Sequence, residues 1–337
     1  MKVLLRADAS PVQGTGHVMR CLTLSEELFR RGHNVVLMTN YSEVDWLEQV
    51  IVDSNVDVIR TPQHELSIDR CLALSPDVVI TDSYEIPALD ISLLAQKVPV
   101  FSIIDGDARG IVASEYLDHN LGAELQPWPD EVSEKLLAGS KFALIRDAVL
   151  ERKRKQPWIF QKSLPHVVAV MGGSDPTGTI VEVSRALNKL EGKCTATLVV
   201  SGQWSKQVQN LLGALDGFEI ISPTSELPRI LATADIAISA SGTSSWELCS
   251  LGIPSLLIAV VENQSESLQR IVDSKLVLGI DLTRGGIQDF TSEVETMVLR
   301  LIENNELREK LSLECAKHFD GLGKVRIVDI LEKISTN

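Results

Sequence analysis

Short β-branched runs alternate with helical patterns along the whole of this 337-residue chain, and that alternation limits its fold more than any other feature. Strands are expected at 2–6, 34–38, 56–60, 77–81, 98–104 and 142–146, and again at 166–171, 196–201, 218–222, 236–240, 255–260 and 277–280. Between them apolar residues recur at helical spacing, as in Val18, Leu22, Leu24, Leu28 and Phe29. Strands that alternate with amphipathic helices build parallel sheets through right-handed crossovers. Near-continuous apolar runs such as 254–260 fit strands buried on both faces. The series breaks once, at Glu151-Arg152-Lys153-Arg154-Lys155-Gln156-Pro157, with Pro165 closing the break. The expected organisation is an N-terminal Rossmann-like domain at 1–148, a linker at 149–165 and a C-terminal Rossmann-like domain at 166–337, its last helix (323–336) crossing back to the first. The basic run in the linker reads as solvated surface.

Charge narrows the choice of partner. Lys plus Arg number 32 against 46 Asp plus Glu, a net charge of −14. Nucleic-acid binders need a basic stripe, because phosphate contacts dominate their affinity; none is present, and an anionic membrane surface is disfavoured for the same reason. No apolar run reaches the roughly 18 residues of a membrane span, so no membrane insertion is expected. Arg6 and Asp8 interrupt the first apolar run, so no signal peptide is read there. The five cysteines are scattered and form no CxxC, so neither a zinc site nor a disulfide framework is indicated. The expected compartment is a reducing cytoplasm.

Two glycine-rich turns follow strands. The first is Gly14-Thr15-Gly16-His17-Val18-Met19-Arg20, after Arg6-Ala7-Asp8-Ala9-Ser10. Glycines there let a backbone approach a ligand. A dinucleotide fingerprint would need a third glycine near Met19 or Arg20 and an acid where Thr39 and Asn40 stand, and it has neither. His17 falls in the first turn of the expected helix, where the dipole disfavours imidazolium and leaves the ring able to take a proton. The second turn, Met171-Gly172-Gly173-Ser174-Asp175-Pro176-Thr177-Gly178, pairs glycines with hydroxyl and acidic cap candidates. A hydroxyl-rich helix start follows at Ser241-Gly242-Thr243-Ser244-Ser245-Trp246-Glu247. Free amides at such starts bind phosphate oxygens. Glu247 has two readings: half of a capping box with Thr243 or Ser244, or a carboxylate that accepts both ribose hydroxyls. Asn263 and Gln264, at the end of the next strand, offer amides for sugar hydroxyls or acetamido groups, or else cap a loop.

Together these motifs resemble the GT-B fold of nucleotide-sugar enzymes. More narrowly, the chain resembles the UDP-sugar hydrolases of pseudaminic acid synthesis, which remove UDP from UDP-2,4-diacetamido-2,4,6-trideoxy-β-L-altropyranose, and the spore-coat polysaccharide proteins grouped with them. The likeness rests also on Asp82-Ser83-Tyr84, Asp118-His119-Asn120-Leu121-Gly122, Glu262-Asn263-Gln264 and Asp320-Gly321-x-Gly323-x-x-Arg326. It implies His17 as general base, Tyr84 and Asn263 as sugar contacts, Glu247 on the ribose, and no metal or other cofactor. The family usually has His before the Tyr, Asp-Asp-Leu-Ala after the fifth strand and Gly-Gly at the ribose motif. Here Ser83, Asp105-Gly106-Asp107-Ala108-Arg109 and Ser241-Gly242 stand instead.

The sequence therefore points to an α/β chain of GT-B type: two doubly wound Rossmann-like domains with a ligand cleft between them. The expected partner is a small-molecule UDP-sugar. Asp8, Gly14, Gly16, Arg20, Tyr84, Asn263 and Gln264 are expected to bind this substrate, and Gly173, Ser174, Ser241, Gly242, Thr243, Ser244 and Glu247 its UDP. The expected reaction is hydrolysis, which frees a sugar for nonulosonic acid or surface polysaccharide. Transfer of the sugar to another acceptor, and non-catalytic binding, are the alternatives.

Overall fold

The computed structural model describes residues 1–10, 13–41, 44–154, 164–173, 175–286 and 288–335. The strands are β1 (Lys2–Ala7), β2 (Asn34–Thr39), β3 (Asp57–Arg60), β4 (Val78–Asp82), β5 (Val100–Ile103), β6 (Glu115–Asp118), β7 (Leu136–Ala138), β8 (His166–Val170), β9 (Thr195–Val199), β10 (Phe218–Ile221), β11 (Ile236–Ala240), β12 (Ser255–Ala259) and β13 (Leu278–Asp281). They form two sheets, β3-β2-β1-β4-β5-β6-β7 and β10-β9-β8-β11-β12-β13. Every pairing between these strands is parallel. The chain divides into one unit of Met1–Asp147 with Gly321–Asn337 and a second of Ala148–Asp320.

In the first unit the apolar strands are split between two cores. Val3 and Leu5 of β1 pack with Val18, Leu24 and Leu28 of the helix Gly16–Arg30. Leu4 faces the other way, among Val79, Val100, Ile91 and Leu94. A strand covered on both faces has no polar side to show, which is why these runs carry no alternation. The second unit repeats the pattern, with Val167, Ala169, Ile236, Ile238, Leu256 and Ile258 in one core beneath the helices Thr179–Asn188 and Phe290–Glu303.

Both sheets reverse their strand order beside the first strand of the unit, between β1 and β4 and between β8 and β11. Crossovers leave such a point in opposite directions, so the turns at the carboxyl ends of its strands diverge and open a crevice. Residues 8–10, 13–16 and 82–84 flank it in one unit; 171–173, 175–178 and 241–247 flank it in the other.

Residues 142–146 are not the strand expected from their composition. Ser140–Phe142 is a short 3-10 turn, and Phe142, Ala143, Leu144 and Ile145 are buried without joining a ladder. Phe142 and Leu144 pack instead with Ile327, Val328 and Leu331 of the helix Gly323–Ile334. That helix is also tied by charge. Lys324, fully buried, pairs with Glu26 and lies 2.7 Å from Asp147, while Arg31 pairs with Asp329 and Glu332. The basic run is not simply solvated either. Arg154 is buried, and its guanidinium donates to the carbonyls of Ala232 and Ala234; residues 155–163 lie outside the described chain.

Gly323 begins the last helix so close to residues 142–143 that a Cβ would sit 2.2 Å from the Ala143 carbonyl oxygen. Backbone cannot yield as a flexible side chain can. Gly323→Ala is therefore expected to destabilise the first unit by about 1–3 kcal/mol, read as a lower urea midpoint at unchanged slope. An unchanged midpoint would mean that the helix is not seated there.

Candidate active site

The turn after β1 is built before any ligand is considered. Ser10 and Gly14 exchange backbone hydrogen bonds of 3.2 and 2.8 Å, and Gly14 takes φ 82°, where glycine is favoured. Gly16 starts the helix, and its Thr15 cap makes no side-chain bond. His17 follows in the first turn and is 4 % exposed.

Asp82, at the end of β4, lies in register with Ala7 and holds the histidine: Nδ1 of His17 is 2.6 Å from Asp82 Oδ1. Arg20 grips the same carboxylate with Nε at 2.8 Å and Nη2 at 2.7 Å. Arg20 Nη2 also lies 2.9 Å from His17 Nδ1. A guanidinium only donates and an ionised carboxylate only accepts, so both Nδ1–H and Nη2–H are directed at Asp82. In the neutral ring the lone pair is then on Nε2, for which no partner occurs among the described residues. Burial alone would raise the Asp82 carboxyl, but Arg20 and His17 outweigh it and hold the group below the usual carboxylate range.

The network widens from Arg20. Its Nη1 donates to Asp105, just beyond β5, at 3.0 Å. Asp105 also accepts from Asn120 at 2.9 Å and from the Tyr84 hydroxyl. Burial opposes its charge as well, yet Arg20 draws its carboxyl well below the usual range. Burial and Asp105 push the Tyr84 phenol up. The Tyr84 ring meets that of His17 edge-on, 4.6 Å between centroids. At the end of β6, Asp118 accepts from Asn120 Nδ2 and from the Gly106 amide, both at 2.8 Å. Burial, with Asp105 adding to it, pushes Asp118 up to about 6. Burial, with Arg20 adding to it, pushes His119 down to about 4.

Not every expected contact is free for a substrate. Asp8 is fully buried, and its oxygens are taken by Arg6 at 2.5 and 2.8 Å and by the amides of Asn40 and His64 at 2.8 Å each. It pins the loop after β1. Arg20 likewise spends its guanidinium on Asp82 and Asp105. Both are expected from the sequence to touch substrate; both support the site from inside. Asp82, Asp105 and Asn120 had no role assigned from sequence. Asp82 and Asn120 stand in motifs that carry the resemblance, and all three share one position, a polar residue where each successive parallel strand ends.

In the second unit Asp175 accepts from the amides of Thr179 and Ile180, 3.0 Å each, so those helix-start donors are not left open for phosphate. Gly172 and Gly178 take positive φ beside it, Gly173 is half-buried, and Ser174 lies outside the described residues. The helix Ser244–Leu251 starts differently. Thr243 is its N-cap and makes no side-chain bond, which puts Glu247 one residue too far on for a capping box. Among the described residues the amides of Thr243 and Ser244 meet no acceptor, and the buried Ser245 hydroxyl has no partner. Glu247 is buried in the first turn. Ser241 is tied by its amide to Ile258 at 2.8 Å. Gln264 accepts from the Val260 amide at 3.0 Å, and its Nε2 would lie 3.7 Å from a Cβ at Gly242. Asn263 is exposed in the turn Glu262–Gln264. No cluster of His, Cys, Asp or Glu among the described residues is arranged to hold a metal. The five cysteines are buried thiols, and no described helix is long and apolar enough to cross a membrane.

Two parallel-sheet units of this kind, with turns gathered at each switch point, have the GT-B fold, as the solved structures bear out. The UDP-GlcNAc 2-epimerase from Neisseria meningitidis, bound to UDP-GlcNAc, aligns with a TM-score of 0.69 at 17% identity over 99% of this chain and 100% of its own. MurG of Acinetobacter baumannii aligns with a TM-score of 0.65 at 16% identity over 98% and 99%. Residues 167–313 match the glycosyltransferase family 28 C-terminal domain. Among curated proteins, the chain is 22% identical to the spore coat polysaccharide biosynthesis protein SpsG of Bacillus subtilis (strain 168), over 99% of this chain and 98% of the relative.

The opposed shifts of Asp118 and His119 give a test of the network. His119 titrates lower when folded, so unfolding takes up a proton between about 4 and about 6.5, and stability rises with pH across that window. Asp118 titrates higher when folded, so its contribution falls as pH rises from about 4 to about 6. Each slope is at most about 1.4 kcal/mol per pH unit. Relative to the natural protein, His119→Gln is expected to make the unfolding free energy fall more steeply over that window, and Asp118→Asn to make it rise more steeply. A change of slope in the same direction in both variants would contradict the assignment.

Proposed function

We propose that the protein acts on a UDP-sugar and hydrolyses it, with His17 as general base. The observation that carries the reading is the His17–Asp82 pair, which fixes the imidazole with its lone pair on Nε2. Water gives a proton to Nε2 as its oxygen bonds to the anomeric carbon. The bond from that carbon to the diphosphate oxygen breaks, and its electron pair leaves with UDP. Asp82 stays ionised and stabilises the imidazolium that forms. Donors aimed at developing charge contribute most when preorganised; the open amides of Thr243 and Ser244 are such donors for the diphosphate, and Glu247 is the carboxylate for the ribose diol.

Two further details fit a ligand. A buried polar group without a partner costs about 1–3 kcal/mol, and among the described residues the Ser245 hydroxyl and the carboxamide of Gln13, beside the first glycine turn, meet none. Likeness to a spore coat polysaccharide biosynthesis protein supports a sugar destined for a surface glycan, and the resemblance to pseudaminic acid hydrolases supports a diacetamido-trideoxy sugar. Tyr84, Asn263 and Gln264 are the groups proposed to contact it. A second reading, transfer to an acceptor, is favoured by the match of residues 167–313 to a glycosyltransferase domain.

The test is UDP release from a panel of UDP-linked acetamido sugars with no acceptor added. Stoichiometric release and a free sugar in the NMR spectrum are expected. Release only when an acceptor is supplied would favour transfer; tight UDP binding with no turnover would favour a binding protein. His17→Asn is expected to keep UDP affinity and lose about 10²–10⁴-fold in turnover, and Asp82→Asn to lose a large part of the same factor. A fully active His17→Asn enzyme would sink the base assignment.

A further inference from the structure

The turn that follows β5 contains an arginine in an unusual state. Arg109 has φ 53°, a left-handed conformation uncommon outside glycine, between Gly106 and Gly110, which take positive φ as well. Its amide is held by Asp107 at 2.8 Å. Strained residues persist where their surroundings require them, often at functional sites. The side chain shows the requirement. Nη1 donates to the Tyr84 carbonyl at 2.5 Å and Nη2 to the Ser83 carbonyl, and the guanidinium carbon lies 5.7 Å from the centre of the Tyr84 ring. No carboxylate pairs with Arg109 among the described residues. Ser83 cannot do the same work, because its hydroxyl is turned inward to the amides of Glu85 and Ile86, 3.1 Å each.

Tyr84 is therefore held at three places: its hydroxyl by Asp105, its ring edge-on to His17, and its backbone by Arg109. We propose that Arg109 is a positioning residue that fixes Tyr84 beside His17 and so sets the sugar specificity of the site. The proposal rests on reading His17 and Tyr84 as the reacting centre. It also assigns a purpose to the turn 105–110, in which this chain departs from the pattern of the proteins it resembles.

The experiment compares Arg109→Gln, Arg109→Gly and Arg109→Lys, alone and in a Tyr84→Ala background. Glycine adopts the left-handed conformation freely, so Arg109→Gly removes the guanidinium without strain and separates its role from folding. With UDP-2,4-diacetamido-2,4,6-trideoxy-β-L-altropyranose as the probe, Gln and Gly are expected to raise KM about tenfold with a smaller change in kcat. UDP affinity should be unchanged, and Lys should restore part of the loss. In the Tyr84→Ala background the same substitutions should add nothing. A second readout needs no turnover: with labelled tyrosine rings, Arg109→Gly should shift the Tyr84 resonances and leave those of Tyr41 and Tyr116 in place. An unmoved Tyr84 signal, or an undiminished effect without Tyr84, would overturn the proposal. Should no UDP-sugar be turned over at all, the proposed function fails, while the tyrosine spectrum still decides whether Arg109 positions Tyr84.

Discussion

One buried carboxylate organises the first unit. Asp82 is 1 % exposed, and it faces His17 on one side and Arg20 on the other. Alone it would be untenable, because removing one partner of a buried ion pair costs about 3–5 kcal/mol. Paired, it does two things at once: it sets which ring nitrogen of His17 carries the proton, and it anchors the arginine that gathers Asp105. Through Asp105 the order spreads to Tyr84 and Asn120, and through Asn120 to Asp118. The ends of β4, β5 and β6 are thus locked to the helix after β1 by charge and hydrogen bonds rather than by apolar packing.

This economy explains which parts of the site were legible in the sequence. Glycine- and hydroxyl-rich segments that follow apolar runs mark turns at strand ends, so the glycine turn at 14–16, His17 and the helix start at 243–244 could be placed from local pattern alone. What sequence could not separate is a polar side chain that meets a ligand from one that holds its neighbour. Asp8 and Arg20 sit in motifs rich in ligand-binding types, yet each is consumed inside the protein. Asp82, Asp105 and Asn120 do as much for the geometry and stood without a role, since contacts between strand ends far apart in the chain leave no local spacing to read.

The fold shows the same division. Long apolar runs between glycine turns were correctly placed as strands. Residues 142–146 have a strand's composition but are buried against the final helix, which returns from the far end of the chain. The reverse holds at β6 and β7, which are short, carry Glu115 and Asp118 and have no β-branched residue. Ladder position, rather than propensity, makes them strands. In the second unit the spacing of Thr243, Ser244 and Glu247 left a capping box open as a reading; with Thr243 at the cap, Glu247 stands one residue beyond the place that box requires.

The central claim is the protonation pattern of one ring, and it can be measured without substrate. A long-range proton–nitrogen NMR correlation of the histidine rings identifies which nitrogen of His17 bears hydrogen in the neutral form. The account requires hydrogen on Nδ1 and a bare Nε2, with that pattern lost when Asp82 is replaced by asparagine. A neutral His17 with its hydrogen on Nε2 would leave no lone pair there to take a proton from water, and the catalytic reading would fail.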